Sequence, residues 1–247
     1  MKLSVNLNKI ALLRNSRGGR EPNLEYFAKE ALDEDIIGLT LHPRPDERHI
    51  KHSDLDLIKN ITEQFKKELN IEGNPLEKES KSYIGFMEIL RKYKPTQATL
   101  VPDSTSQITS DHGWNMADVN SLDLIKEIRF NSSRCSIFVD AETDLDLLMN
   151  KDIDTIEIYT GPYANAVDQD NKNRMELELL KIKNLSLKAK KLGLRVNAGH
   201  DLNLDNLPEL RKLDLIDEVS IGHAIISQSL IDGFKQTIKK YLEVING

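Results

Sequence analysis

Eight short apolar runs punctuate the chain about every 31 residues, eight units in 247 residues, and that regularity leaves few folds open. They read LSVNLN (3–8), GLTLHP (38–43), LNIEGN (69–74), QATLVP (97–102), RCSIFVD (134–140), TIEIYTG (155–161), LRVNAGH (194–200) and EVSIGHA (218–224). Helix-like stretches lie between them. Strands alternating with helices imply parallel pairing through right-handed crossovers. An eightfold repeat of that unit is the arithmetic of a (β/α)8 TIM barrel, which needs roughly 250 residues. The expectation is an α/β chain with one catalytic domain over 1–247. In such a barrel the active site sits at the C-terminal ends of the strands, where most of these runs carry hydrogen-bonding groups.

Composition narrows the function. Hydrophobic residues make up 39% and charged residues 30%, enough apolar material for a core. No run approaches the 18 or so apolar residues of a spanning helix. The opening MKLSVNLNKIALLR lacks the long apolar segment and cleavage site of a secretory signal. One cysteine, Cys135, excludes an intrachain disulfide framework and suits a reducing cytosol, so a cytoplasmic location is expected. A net charge of −6 argues against a general nucleic-acid binder. Small anionic ligands remain compatible, because a few arginines in one cleft outweigh the mean.

Helix signals fill the gaps. Asn23 or Pro22 opens a helix over 24–33. Leu57, Ile58, Ile61, Phe65 and Leu69 form an apolar face over 56–69. Further helices are expected over 79–93, 121–129, 173–192 (ending at Gly193), 205–213 and 227–245. Two connections read as long loops on the catalytic face, 103–120 after strand four and 161–173 after strand six. Such loops are typically lids or binding elements. Trp114, the only tryptophan, suits a buried loop anchor as well as a lid.

Within the strands apolar and polar residues alternate. Val5 and Leu7 alternate with Asn6 and Asn8, Leu39 and Leu41 with Thr40 and His42, and Ile156 and Ile158 with Glu157 and Tyr159. One face must pack on the outer helices, so the polar set points into the barrel. A lumen is ordinarily filled by branched apolar side chains. Filling it with Asn, His and Glu costs desolvation unless they bond each other or a ligand. A polar ligand seat is the expectation, with a self-satisfied network as the plain alternative.

Of six histidines, His42, His200 and His223 fall at strand ends two, seven and eight. Imidazoles converging on one rim suit proton transfer. Glu72 and Glu157 point into the same lumen, where desolvation raises a carboxyl toward the range useful for acid–base work. Arg14, Arg17 and Arg20 follow strand one in RNSRGGR, expected as a loop, and Arg44, Arg48 and His49 follow strand two. Guanidinium forks suit phosphate, although a charge run is equally a solvated surface. Gly222 and His223 after strand eight fall where barrels form phosphate sites from backbone N–H groups. No zinc spacing, Gly-rich nucleotide fingerprint or P-loop occurs. Lys9 is the only lysine near a strand end, a thin basis for a Schiff-base aldolase.

Taken together, the motifs VNLNKIALLRNSRGG, LTLHPRPDERHI, NIEGN, LVPD followed by Thr109, IEIYTGPYA, VNAGHDL and IGHAII resemble the pyridoxine 5′-phosphate synthase family of the deoxyxylulose-dependent vitamin B6 pathway. The resemblance runs over essentially the whole chain. It implies a barrel with extra helices, a closing lid after strand four, and assembly into a larger homo-oligomer, an octamer. It implies condensation of 1-deoxy-D-xylulose 5-phosphate with 3-amino-2-oxopropyl phosphate, giving pyridoxine 5′-phosphate, inorganic phosphate and water. No metal or organic cofactor is implied, since the substrate amine itself forms the imine. By the resemblance His42 and Glu72 are proton acceptors, His200 is the proton donor, and Glu157 stabilises the transition state. Asn6, Arg17, Gly222, His223 and the backbone at Asp201 match positions holding the amino-ketone phosphate. Arg44, His49 and Thr109 match positions holding the pentulose phosphate, as do Asn8 and Lys9. The last two depart from the family, which commonly has Asp and His there. Two other readings stay open: another sugar-phosphate isomerase or aldolase on the same barrel, and a non-catalytic phosphometabolite-binding barrel.

Overall fold

The eight apolar runs become eight strands, and in the computed structural model these close into one barrel in chain order, every neighbouring pair parallel. Residues 1–120, 124–148 and 152–247 are described. The order is β1 (Lys2–Asn6), α1 (Asn8–Asn15), α2 (Leu24–Leu32), β2 (Gly38–Leu41), α3 (His52–Phe65), β3 (Glu68–Gly73), α4 (Phe86–Tyr93) and β4 (Gln97–Leu100). There follow α5 (Met116–Asn120), α6 (Ile125–Asn131), β5 (Arg134–Val139), a 3-10 turn (Leu145–Leu148), β6 (Thr155–Tyr159), α7 (Gly161–Asp168) and α8 (Lys172–Lys191). The chain ends with β7 (Arg195–Gly199), α9 (Leu207–Arg211), β8 (Glu218–Ile221), α10 (His223–Asp232) and α11 (Phe234–Asn246).

Local chemistry sets most boundaries. Asn23 caps α2 by accepting from Tyr26 N at 3.0 Å, and Asn171 caps α8 by accepting from Arg174 N at 3.1 Å. Several expectations need correction. RNSRGGR is not purely a loop, because α1 runs through Asn15 and takes Arg14 with it. The 161–173 segment is mostly α7, a helix with Pro162 in its first turn, where a missing N–H costs nothing. The helix expected to reach Leu69 stops at Phe65, since Lys66 turns left-handed (φ 54°) and Leu69 pairs with Leu39 in the sheet. The single helix over 227–245 is two, broken at Gly233 (φ 82°). Likewise 79–85 is not helical: Ser80 and Tyr83 pair with each other before α4 begins. The first positions of the helix expected over 121–129 lie outside the described residues.

The alternation resolves as expected, with apolar residues outward against the helices. Leu3, Val5, Leu39, Leu41, Ile156, Ile158, Val196 and Ala198 are all fully buried. The inward polar residues divide into two groups. From β1 to β5 most satisfy one another, with Ser136 Oγ on β5 left without a partner. The Ser4 and Thr40 hydroxyls lie 2.7 Å apart, Thr99 donates to Asn70 at 2.9 Å, Gln97 donates to Thr99 at 3.2 Å, and Arg134 Nε donates to Gln97 at 3.2 Å. From β6 to β8 they do not: Thr155, Glu157, Asn197 and Glu218 each keep a buried oxygen without a partner. One side of the lumen is thus mostly a connected network, and the other holds most of the unmet hydrogen-bonding capacity.

Candidate active site

A cavity of about 440 Å³ opens at the C-terminal ends of the strands. Every residue that the family resemblance places in the site lines it except Arg17, which lies exposed just beyond α1. Arg14 is also remote from substrate: it grips Asp54 with both terminal nitrogens, at 2.7 and 2.9 Å, and pins α1 to α3.

Strand one supplies a pair of amides. Asn6 Oδ1 accepts from Asn8 N at 2.9 Å and so fixes the entry to α1. Asn8 Oδ1 accepts from His42 N at 2.9 Å and holds the end of β2. A carboxylate at position 8 could accept that same bond, so replacing the family's Asp preserves the scaffold. What changes is the group's other atom, now an amide donor and no longer an anionic acceptor. Lys9 lines the cavity with no ion pair among the described residues.

Strand two and the loop after β4 are tied together. Arg44 is buried, donates to Asp103 Oδ2 at 2.8 Å, and also bonds the carbonyls of Ser104 and Gln107. Arg48 donates to Gln107 O at 2.8 Å and Thr105 O at 2.7 Å. The loop therefore lies latched over the rim, with Ile108, Thr109 and Ser110 on the cavity wall. Its far end is docked where Trp114 N donates to Phe138 O at 3.0 Å and Gly113 N to Asp140 at 3.0 Å. Trp114 is buried, which makes it the anchor of the loop.

The proton-transfer groups face one another. His42 Nδ1 is 3.7 Å from Glu72 Oε2, and its Nε2 is 3.8 Å from Asp103 Oδ2. His49 Nδ1 accepts from Ile50 N at 3.0 Å, so its neutral ring carries hydrogen on Nε2. His200 is wedged between Phe138, tilted at 50° with ring centroids 4.7 Å apart, and Tyr159, edge-on with centroids 5.7 Å apart. Its backbone is left-handed (φ 78°), as is that of Asp201 (φ 58°), a costly pair for non-glycine residues. Two side chains hold this turn. Thr160 Oγ1 lies 2.5 Å from His200 O and 2.6 Å from Gly199 O, and Asn206 Nδ2 donates to Asp201 O at 2.9 Å. Gly199 is required for space: a Cβ there would sit 2.4 Å from Glu157 Oε1. Asp103, Thr160 and Asn206 do not stand out in the sequence. Only Asp103 left a signal, as the acid ending LVPD opposite a basic strand two.

Burial dominates the electrostatics. It pushes Glu157 up to about 8, with Glu218 adding repulsion. It raises Glu72 well above the usual carboxylate range, with Glu157 and Asp103 adding to it. It lowers His42 to about 3, His49 to about 2 and His200 to about 4. At neutral pH the free site thus holds protonated carboxyls and neutral imidazoles. His42 is ready to accept a proton, His200 donates only its single ring N–H, and Glu72 must first release its proton before it can act as a base.

These shifts set the stability profile. A histidine lowered from 6.5 withholds a proton that the unfolded chain binds, so stability falls as pH drops below 6.5. A glutamate raised from 4.5 keeps a proton that the unfolded chain releases, so stability also falls as pH climbs from 4.5 toward 8. The opposing sets balance at about pH 5.5, where the Tm of the ligand-free protein should peak. Thermal unfolding scanned across pH checks this, and a Tm rising through neutrality would contradict it.

Fold and site together define a TIM barrel with a cavity of buried carboxyls and imidazoles at the C-terminal ends of its strands. A profile of the family described as pyridoxal phosphate biosynthesis protein PdxJ matches residues 3–247. The chain is 41% identical to the pyridoxine 5′-phosphate synthase of Leptospira biflexa serovar Patoc, covering 99% of this chain and 97% of that one. It is also 41% identical to that of Xanthomonas oryzae pv. oryzae, covering 100% and 97%. The protein belongs to this family. Among solved structures, thiamine phosphate pyrophosphorylase from Pyrococcus furiosus superposes with a TM-score of 0.63 at 13% identity, over 99% of this chain and 95% of that one. At that identity the likeness establishes the barrel alone.

Proposed function

We propose that the protein is a pyridoxine 5′-phosphate synthase, joining 1-deoxy-D-xylulose 5-phosphate to 3-amino-2-oxopropyl phosphate with release of inorganic phosphate and water. The observation that carries this reading is the convergence of His42, Glu72, Glu157 and His200 from four strands on one cavity. The amine nitrogen adds to the pentulose ketone, and the carbinolamine loses water once an acid protonates its hydroxyl. A base then removes a carbon-bound proton to give an enamine, which expels the phosphate of the pentulose; carbon–carbon bond formation to the amino-ketone carbonyl closes the ring, and loss of water completes it. Each step needs a group that switches between acid and base. The protonated Glu72 beside neutral His42 offers both, and His200 supplies a donor from the opposite side. Glu157, as a neutral acid, donates to oxygen that gains charge.

Phosphate recognition is divided. The N-terminus of α10, opened by Gly222 and His223 beside Asn6, presents free N–H groups to one phosphate. Thr109, His49 and Lys9 face the other. Arg17 joins a phosphate only if residues 16–20 fold inward or a second copy in the octamer supplies it. The latched loop excludes water from the imine.

Incubating the protein with both phosphates, the amino-ketone generated in situ, and following product by mass and absorbance tests this reading. Pyridoxine 5′-phosphate with stoichiometric phosphate release supports it; binding of either phosphate without product overturns it. Lys9→Met should raise KM for the pentulose phosphate about tenfold, the worth of one exposed ammonium–phosphate contact, with kcat little changed. Complete loss of turnover there would instead indicate an imine on Lys9.

A further inference from the structure

The unmet hydrogen-bonding capacity of β6 to β8 lies in one row. Glu157 pairs in register with Asn197, and Asn197 with Glu218. Adjacent strands stand about 4.8 Å apart, so Glu157 and Glu218 are separated by about 10 Å across Asn197. All three side chains are buried: Glu157 is 2% exposed, Asn197 2% and Glu218 3%. Glu157 Oε2, Asn197 Oδ1 and Glu218 Oε2 each lack a hydrogen-bond partner. These are three acceptors with no donor in reach among the described residues. A buried row of acceptors is costly as anions, and carboxyls that keep their protons become donors instead.

We propose that Glu218, at the end of the lumen away from the cavity, is a positioning residue that holds Glu157 as a hydrogen-bond donor toward the substrate. The proposal rests on the role of Glu157 in the condensation. Glu157 lines the cavity, whereas Glu218 does not. The groups facing Glu218 do not cancel it. Arg134 on β5 is engaged with Glu68 on β3 at 3.1 Å. Arg195 on β7 comes no closer than 3.9 Å, and its Nε is itself without a partner. Asp217, the preceding residue, accepts from Val196 N at 2.7 Å and from Lys190 at 2.5 Å, and Lys2 on β1 is the in-register neighbour. Facing Glu157 are Glu218 from β8 and, on the cavity side, Glu72 from β3. The inward side chains of β2 and β4 are the neutral Thr40, Gln97 and Thr99.

The sign follows. Burial places Glu218 at about 7 and Glu157 at about 8. As pH rises, Glu218 ionises first, and its charge opposes loss of the proton from Glu157. Its repulsion thus adds to burial in keeping Glu157 neutral. Without Glu218 the proton leaves Glu157 at lower pH, and the neutral donor facing the substrate is lost earlier.

Infrared absorption of the protonated carboxyl C=O, followed against pH in the ligand-free protein, tests this without any turnover. It therefore fails or succeeds separately from the reading of the reaction. Glu157→Gln assigns the Glu157 band. Glu218→Gln should move the Glu157 midpoint down by about one pH unit, the pull of a unit charge about 10 Å away at an effective dielectric constant of about 20. Because Glu157 is still neutral while Glu218 ionises, Glu157→Gln should leave the Glu218 midpoint nearly unchanged; Glu218→Leu, which removes the charge with a different side chain, is a second measure should Glu218→Gln not fold. With substrates, the alkaline limb of kcat in Glu218→Gln should shift with the band while KM stays within twofold. A Glu157 midpoint that stays put once the Glu218 carboxyl is removed overturns the proposal.

Discussion

Replacing Glu72 by glutamine should lower kcat about a thousandfold and leave KM for both phosphates within about threefold, the signature of a lost proton-transfer group. Glutamine fills the same volume at this buried position but can neither hold nor release the proton. The pair with His42, 3.7 Å away, then loses its exchangeable hydrogen. The proposed phosphate seats, at the start of α10 and around Thr109 and His49, lie elsewhere on the rim, so affinity should be largely spared. His200→Asn should behave similarly, and asparagine is the informative choice. Position 200 has φ 78°, a conformation asparagine adopts more readily than most residues, so backbone strain does not confound the result. Single-turnover kinetics would separate chemistry from product release. Near-normal turnover in both variants would remove these two residues from the mechanism.

The barrel was legible in the sequence because its determinants are periodic. Eight runs with alternating polarity specify eight strands, and the outward set, Leu39 and Leu41 among them, is buried as the alternation requires. Helix edges were harder, since amphipathic spacing continues past the true end. Leu69 fits the face of α3 yet belongs to β3, and only the left-handed turn at Lys66 reveals it. The site residues at strand ends were legible for the same reason as the strands. Two features were not. Arg44 and Arg48 suit phosphate by residue type, but the structure commits their nitrogens to the loop after β4. The histidines suggested titration near neutrality, but burial keeps them neutral and moves the proton onto the carboxyls. Both outcomes depend on which groups become buried together, and that is decided by contacts between strands distant in sequence.

Asp103→Asn should destabilise the protein by about 3 kcal/mol, because it leaves the buried Arg44 guanidinium without its counter-ion. For a domain of this size that is a Tm lower by about 6 to 12 °C. The carbonyls of Ser104 and Gln107 still accept from Arg44, but they are dipoles and do not neutralise it. The bond from the Asn74 side-chain Nδ2 to the Asp103 carbonyl, at 2.9 Å, survives the change, so the start of the loop keeps its place. The middle of the loop loses a charged latch and should become more susceptible to limited proteolysis. Turnover should fall too, since the carboxylate 3.8 Å from His42 Nε2 is gone. The double variant Arg44→Met, Asp103→Leu separates the two effects. Removing both charges also removes the penalty of burying them, so much of the lost stability should return. Activity should not, because a thioether at position 44 cannot hold the loop and an isobutyl group at position 103 cannot influence His42. Recovery of stability without recovery of turnover would show that this ion pair is kept for the geometry of the site and not for the fold. A double variant as unstable as Asp103→Asn alone would instead show that the loss comes from disrupted loop packing, with the buried charge contributing little.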